Sequence, residues 1–166
     1  MAKLQLPQTT YSVESGKSKG TVTGTADSDL VCPATHPPRQ PSPAGTGPHK
    51  VILSWKASTY SSPESKPFGY CVYRSETKNA AKRNPTDPTC SDCVQINSVP
   101  VKNTACVDDL VQNDVKYYYV VTAINAAGKT SDPSNETPAK IPNTKESNNP
   151  ANVDNPPLCR EPVTSK

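Results

Sequence analysis

The sequence predicts an all-β protein, an antiparallel β-sandwich of about seven short strands carrying extended N- and C-terminal segments. Three observations predict it. The stretch Tyr117-Tyr118-Tyr119-Val120-Val121-Thr122-Ala123-Ile124-Asn125 is rich in aromatic and β-branched residues, and Ala126-Ala127-Gly128 closes it with a turn signal. Shorter runs of the same kind recur at roughly 8–15 residue spacing with turn residues between them. No apolar run repeats at the period of a helix.

The elements follow in order. Residues 1–47 form a Pro/Thr/Ser-rich extension, in which Thr21-Val22-Thr23-Gly24-Thr25 is a candidate short strand. The segment Cys32-Pro33 to Pro43 is expected to be extended, because each proline fixes φ and removes a donor. His49 to Trp55 is the first convincing strand, with Val51, Leu53 and Trp55 alternating onto one face. Phe68 to Arg74 is the next, with Tyr70 and Val72 on one face and Cys71 and Tyr73 on the other. A polar loop runs from Ser75 to Pro88. Cys93–Asn97 and Thr104–Asp108 are short strands. In the long Tyr117–Asn125 strand, Tyr117, Tyr119, Val121 and Ala123 share one face, and Tyr118, Val120, Thr122 and Ile124 the other. Both faces are apolar, which marks a central strand. Lys129 to Lys140, with prolines at 133 and 138, reads as a final edge strand. Residues 142–166 form an Asn/Pro-rich tail.

Composition agrees with this division. Of 19 prolines, seven precede residue 49 and seven follow residue 127, whereas of nine aromatic residues only Tyr11 lies outside 55–119. Core formers are thus concentrated in 48–141, and the roughly ninety residues there can bury a modest core that benefits from cross-links. The net charge of +3 comes from scattered residues, which gives no nucleic-acid footprint. No apolar run approaches the ~18 residues of a membrane helix. Met1 to Pro7 lacks an apolar signal core, so the chain is either cytosolic or a mature exported form. Six cysteines against two histidines favour the second, with three disulfides in a secreted or cell-surface protein.

Over about residues 48–141 the chain resembles a fibronectin type III domain of bacterial type. Val51-x-Leu53-x-Trp55 is similar to the family's second strand with its core tryptophan, and Gly69-Tyr70-Cys71-Val72-Tyr73-Arg74 to its third. Val111, six residues before Tyr117, is similar to the apolar residue preceding the corner tyrosine. Tyr117-x-Tyr119-x-Val121-x-Ala123-x-Asn125-x-x-Gly128 resembles the sixth strand and its turn, and Ser134-Asn135-Glu136 the start of the last. The resemblance implies an immunoglobulin-like sandwich in which Trp55, Tyr70, Val111 and Tyr117 define the fold. It assigns Tyr117 a hydroxyl hydrogen bond back to the preceding connection. The chain departs from the family in having no clear first strand before His49, where the Pro-rich segment stands, and in placing Cys93 and Cys106 where members tend to have tyrosines.

Six cysteines allow fifteen pairings. The resemblance puts Cys93 and Cys106 on neighbouring strands and makes them the first expected pair. Cys71 would then take Cys90, and Cys32 and Cys159 would join the two tails, within one chain or between chains. Cys90-Ser91-Asp92-Cys93 is a C-x-x-C, but a redox role needs a helix N-terminus in a βαβ setting, which is absent from the pattern. A zinc site would need four ligands, for which Cys71, Cys90, Cys93 and Cys106 are the weaker alternative reading. His36 and His49 read as solvated loop histidines and Asp108-Asp109 as a turn-capping pair. Asn135-Glu136-Thr137 is a formal glycosylation sequon. Arg-Gly-Asp is missing, so integrin-type binding has no support. Nothing in the chain forms a catalytic set, and no cofactor is expected.

One face stands out. Cys71, Tyr73, Tyr118, Val120 and Ile124 form an apolar patch outside the sandwich core, which either a tail or the long loop, or else another molecule, must cover. Tyr73, Tyr118, Val120 and Ile124 are therefore the candidate interaction face. The expected function is a non-enzymatic extracellular structural or interaction module with a protein partner or self-association, its tails serving as contacts in a surface or filament subunit. The alternative is a spacer or binding module of a larger secreted carbohydrate-active enzyme, with carbohydrate as ligand. Neither nucleic acid nor membrane insertion is expected.

Overall fold

The computed structural model describes residues 2–6, 30–39, 41, 49–143 and 156–160. Seven strands are formed among them: β1 (Ala2–Leu6), β2 (Val51–Trp55), β3 (Pro67–Ser75), β4 (Val94–Gln95), β5 (Ala105–Asp108), β6 (Lys116–Asn125) and β7 (Thr137–Lys140). They make two sheets, ordered β1-β2-β5 and β4-β3-β6-β7. All neighbours pair antiparallel except β1, which runs parallel to β2 with Ala2 opposite Val51 and Leu6 opposite Trp55. The protein is all-β, with helix confined to the 3-10 turn Pro63–Ser65 and α1 (Ala80–Arg83) among the described residues.

The alternation read from the sequence sorts the side chains into two apolar layers. The inner layer lies between the sheets. It holds Val51, Leu53 and Trp55 of β2, Tyr70 and Val72 of β3, Cys106 of β5, Tyr117, Tyr119, Val121 and Ala123 of β6, and Val111 from the connection before it. The Trp55 and Tyr70 rings meet edge to face across the sheets at 5.4 Å, a geometry that aromatic quadrupoles favour. The outer layer lies on the far face of the four-stranded sheet and holds Cys71, Tyr73, Val120 and Ile124 beneath Cys32, Ala80, Ala81, Cys90 and Cys93.

Strand bounds differ from expectation by one or two residues except at the last strand. Residues 129–140 were expected to be one edge strand, but only Thr137–Lys140 is regular. Pro133 has no N–H to give, and two serines replace the ladder instead. The backbone N–H groups of Ser131 and Ser134 donate to the carbonyls of Ala123 and Val121, and their hydroxyls accept from the N–H groups of the same two residues. Thr21–Thr25 lies outside the described residues. A first strand does exist: β1, not the Pro-rich segment, takes the edge of β2. The Ser75–Pro88 loop contains α1, one turn built on the good helix formers Ala80-Ala81-Lys82-Arg83.

Two glycines are fixed by geometry. A Cβ at Gly69 would stand 2.7 Å from Pro100 Cβ, where β3 bulges and Val101 pairs antiparallel with Tyr70. Gly128 has φ +79° in the turn closing β6. In that turn the Asn125 side-chain oxygen accepts from the N–H groups of Ala127 and Lys129.

Candidate functional site

The groups that set this chain apart are the segments laid over its sheet edges and outer face, and the disulfides that fasten them. Cys32 binds Cys71, Cys90 binds Cys93 and Cys106 binds Cys159, with Cα separations of 5.6, 5.4 and 4.8 Å, all normal for disulfides. No cysteine is free. None of the three expected pairs forms. Cys93 precedes β4 in the four-stranded sheet while Cys106 points from β5 into the inner core, so the two belong to different sheets. Cys71 faces outward from β3 and is taken by Cys32, which lies over it. Cys90 is then closest to Cys93, three residues on, and Cys159 runs alongside β5. These sulfurs are spent in pairs, so the four central cysteines do not gather as zinc ligands, and the C-x-x-C is a buried staple with both residues under 5% exposed.

The segment 30–39 closes one edge of the four-stranded sheet. Cys32 N–H donates to the Ser98 carbonyl at 2.7 Å and Gln95 N–H to the Arg39 carbonyl at 3.0 Å. The buried Gln95 amide donates to the Cys32 carbonyl at 2.9 Å, and the Tyr73 hydroxyl donates to the Pro33 carbonyl at 2.6 Å. Burial pushes the Tyr73 phenol far above its ordinary range. At the other sheet, residues 156–160 close the free edge of β5: Val107 N–H donates to the Pro157 carbonyl and Cys159 N–H to the Val107 carbonyl, both at 2.9 Å. Arg160 then clasps Asp109 through two hydrogen bonds of 2.9 and 2.8 Å, holding that carboxyl below the usual carboxylate range. Of the four edge strands, β4 and β5 are thus covered, β1 lies outermost on β2, and β7 is short and carries Pro138. Covering, shortening and proline are the devices that stop sheet edges from recruiting other chains.

The candidate interaction face is therefore not a bare patch. Tyr73, Val120 and Ile124 are at most 1% exposed, covered by residues 30–39 and by the α1 loop. Tyr118 is half-buried, with the Lys116 ammonium 5.2 Å from its ring centre. The covering leaves a neutral cleft of about 40 Å³ lined by Pro33, Tyr73, Pro85, Thr122, Pro133 and their neighbours, far smaller than ordinary ligand pockets. The Thr122 hydroxyl is buried there without a hydrogen-bond partner, one of three such side-chain atoms among the described residues, with Trp55 Nε1 and Asn113 Oδ1.

A second constellation was not foreseen. Arg74, 5% exposed, crosses the inner layer to pair with Asp108, itself 1% exposed. Its guanidinium also donates to the Leu110 carbonyl at 2.8 Å and lies 4.4 Å from the centre of the Tyr117 ring. The Tyr119 hydroxyl donates to the same Asp108 carboxylate at 2.8 Å, and burial, then that charge, pushes its pKa well up. Arg74 stands in phase with Tyr70 and Val72, which was the available signal. Asp108 also accepts from Leu110 N–H at 3.0 Å, as a turn-capping residue does, but both aspartates are engaged by arginines.

The remaining residues fall as follows. Val111 is fully buried. Gln112 N–H donates to the Tyr117 hydroxyl at 3.1 Å, so that phenol does meet the connection before its strand, as acceptor. The Tyr70 hydroxyl accepts from Ser58 N–H at 3.1 Å. His36 is exposed, but His49 is buried two residues before β2 and is not a solvated histidine. Asn135 of the sequon is exposed. Among the described residues no cluster of His, Cys, Asp or Glu is arranged to hold a metal, and no helix is long and apolar enough to cross a membrane.

Fold and linkages together define an all-β chain stapled by three disulfides, the mark of an oxidising environment. No protein-family model and no curated protein matches the chain.

Proposed function

We propose that this chain is a non-enzymatic extracellular structural or interaction module, secreted or displayed at a cell surface, built on a fibronectin type III-like, immunoglobulin-like sandwich. The observation that carries the reading is the fastening of segments from both extensions onto the module's own sheets, with every cysteine consumed. Such an investment suits a small domain that must persist where chaperones are absent and proteases present. The strand order β1-β2-β5 and β4-β3-β6-β7, the Trp55–Tyr70 contact and the Tyr117 hydroxyl bond support the sandwich family. Fastened segments at 30–39 and 156–160 speak against free spacers at those places, and so favour this reading over an accessory module slung between linkers.

The test is proteolysis of the purified chain before and after reduction, with its thiols titrated. We expect no free thiol, and survival of the oxidised protein under a protease dose that digests the reduced form. Six free thiols in protein that resists protease equally well would place it in a reducing compartment and end the reading.

A further inference from the structure

Of the three segments from the extensions that pair with the sheets, two are locked covalently and one is not. Residues 30–39 are held by Cys32 and residues 156–160 by Cys159. β1 has no cysteine. It is joined to the nearest covalent anchor, Cys32, only through residues 7–31. That tether reaches ~85 Å if extended, more than the width of a domain this size. β1 also holds its place through backbone pairing along five consecutive positions, Ala2–Val51 to Leu6–Trp55. Its sequence, Ala-Lys-Leu-Gln-Leu, alternates apolar and polar residues as a strand does. Any copy of this chain offers the same β2 edge to the same strand.

We propose that β1 exchanges between copies, residues 2–6 of one molecule pairing with β2 of a second. The partner is thus another copy of this chain, and the surface is the Val51–Trp55 edge. The inference rests on the reading of the chain as an extracellular structural module. Reciprocal exchange closes a two-fold dimer, and one-way exchange extends an open chain of modules. The strand-to-strand bonds are the same in both states, so the balance is set by concentration. A tether of this many residues confers an effective concentration of about millimolar. Monomers with their own β1 in place prevail at micromolar concentration. Exchanged species become abundant where copies are crowded to about millimolar density, as on a surface.

The test uses two full-length variants, Gln5→Cys and Ser54→Cys, whose positions face each other in the β1–β2 register. They are mixed at about 10 μM and at about 1 mM in a glutathione redox buffer and resolved without reduction. We expect a disulfide-linked heterodimer that is scarce in the dilute mixture and at least tenfold more abundant in the concentrated one. The double variant should close within one chain at low concentration, which shows that β1 sits on β2. Lys3→Cys with Ile52→Cys repeats the experiment at a second register pair. Intrachain closure of both double variants with no heterodimer at either concentration would overturn the exchange. Failure of both to close within or between chains would overturn it by removing the β1–β2 pairing itself. Neither result alters the linkage of the six native cysteines, which bears on the proposed function separately.

Discussion

The two apolar layers of this protein are built on different principles. The inner layer is closed on both sides by sheet, is assembled from alternating residues of five strands, and contains one buried ion pair. The outer layer has sheet on one side only. Its other side is a proline-rich segment and a loop with one helical turn, pieces that carry few backbone bonds of their own and are pinned by Cys32–Cys71 and Cys90–Cys93. A ladder of strands can bury an apolar face cooperatively, whereas an irregular covering must be held against its own chain entropy. The cysteines do that holding.

The comparison can be broken first at the ion pair. Arg74→Met leaves the Asp108 charge buried without its partner, and we expect a loss of about 3–5 kcal/mol in urea unfolding. Replacing both partners together, Arg74→Met with Asp108→Leu, should cost clearly less, because no orphan charge remains. The covering is tested by Cys32→Ser with Cys71→Ser. The sequence separation of 39 sets a chain-entropy cost of about 4 kcal/mol for opening that link. The double variant should also gain binding of a hydrophobic dye, as Tyr73, Val120 and Ile124 become accessible. Removing the Cys90–Cys93 staple, whose separation is 3, should cost only about 2 kcal/mol and leave the dye signal low.

A smaller effect has the opposite sign. Thr122→Val replaces a buried, partnerless hydroxyl with a methyl of the same shape, and should stabilise by about 1 kcal/mol. A loss of stability there would mean that the cleft holds a water bonded to Thr122.

Acid should act mainly on the fastenings. Hydrogen bonds from Arg160 lower the Asp109 carboxyl. At Asp92 burial raises the value, but hydrogen bonds from Ser75, Thr77 and Glu76 outweigh it and the net shift is down. A carboxyl whose folded value lies below its unfolded value of about 4 stabilises fully above that pH, and the contribution is lost as pH falls through the folded value. Thermal melts should therefore hold steady down to about pH 4 and decline below it, with Asp109→Asn showing a shallower decline.

The inner layer was legible in the sequence because alternation alone determines which residues face it. Val51, Leu53, Trp55, Tyr70, Val72, Tyr117 and Tyr119 fall where period two puts them. Arg74 lies in the same phase, yet its charge disguised an inward position until Asp108 was seen opposite. The outer layer was legible only by half. The apolar face of Tyr73, Val120 and Ile124 could be read, but what covers it depends on where an irregular segment runs, and proline-rich sequence does not encode a route. The pairing of cysteines failed for the same reason. Cys32 and Cys159 belong to segments without period, so nothing local tells which sheet each one meets. β1 carried a five-residue alternation that was too short to stand out so far from its partner strand.

The measurement that bears most directly on the account is peptide mass mapping of the non-reduced protein. Fastening of both extensions to their own sheets predicts three intrachain linkages, Cys32–Cys71, Cys90–Cys93 and Cys106–Cys159. A Cys32–Cys159 linkage, within one chain or between two, would contradict it, since neither extension would then be fixed to a sheet.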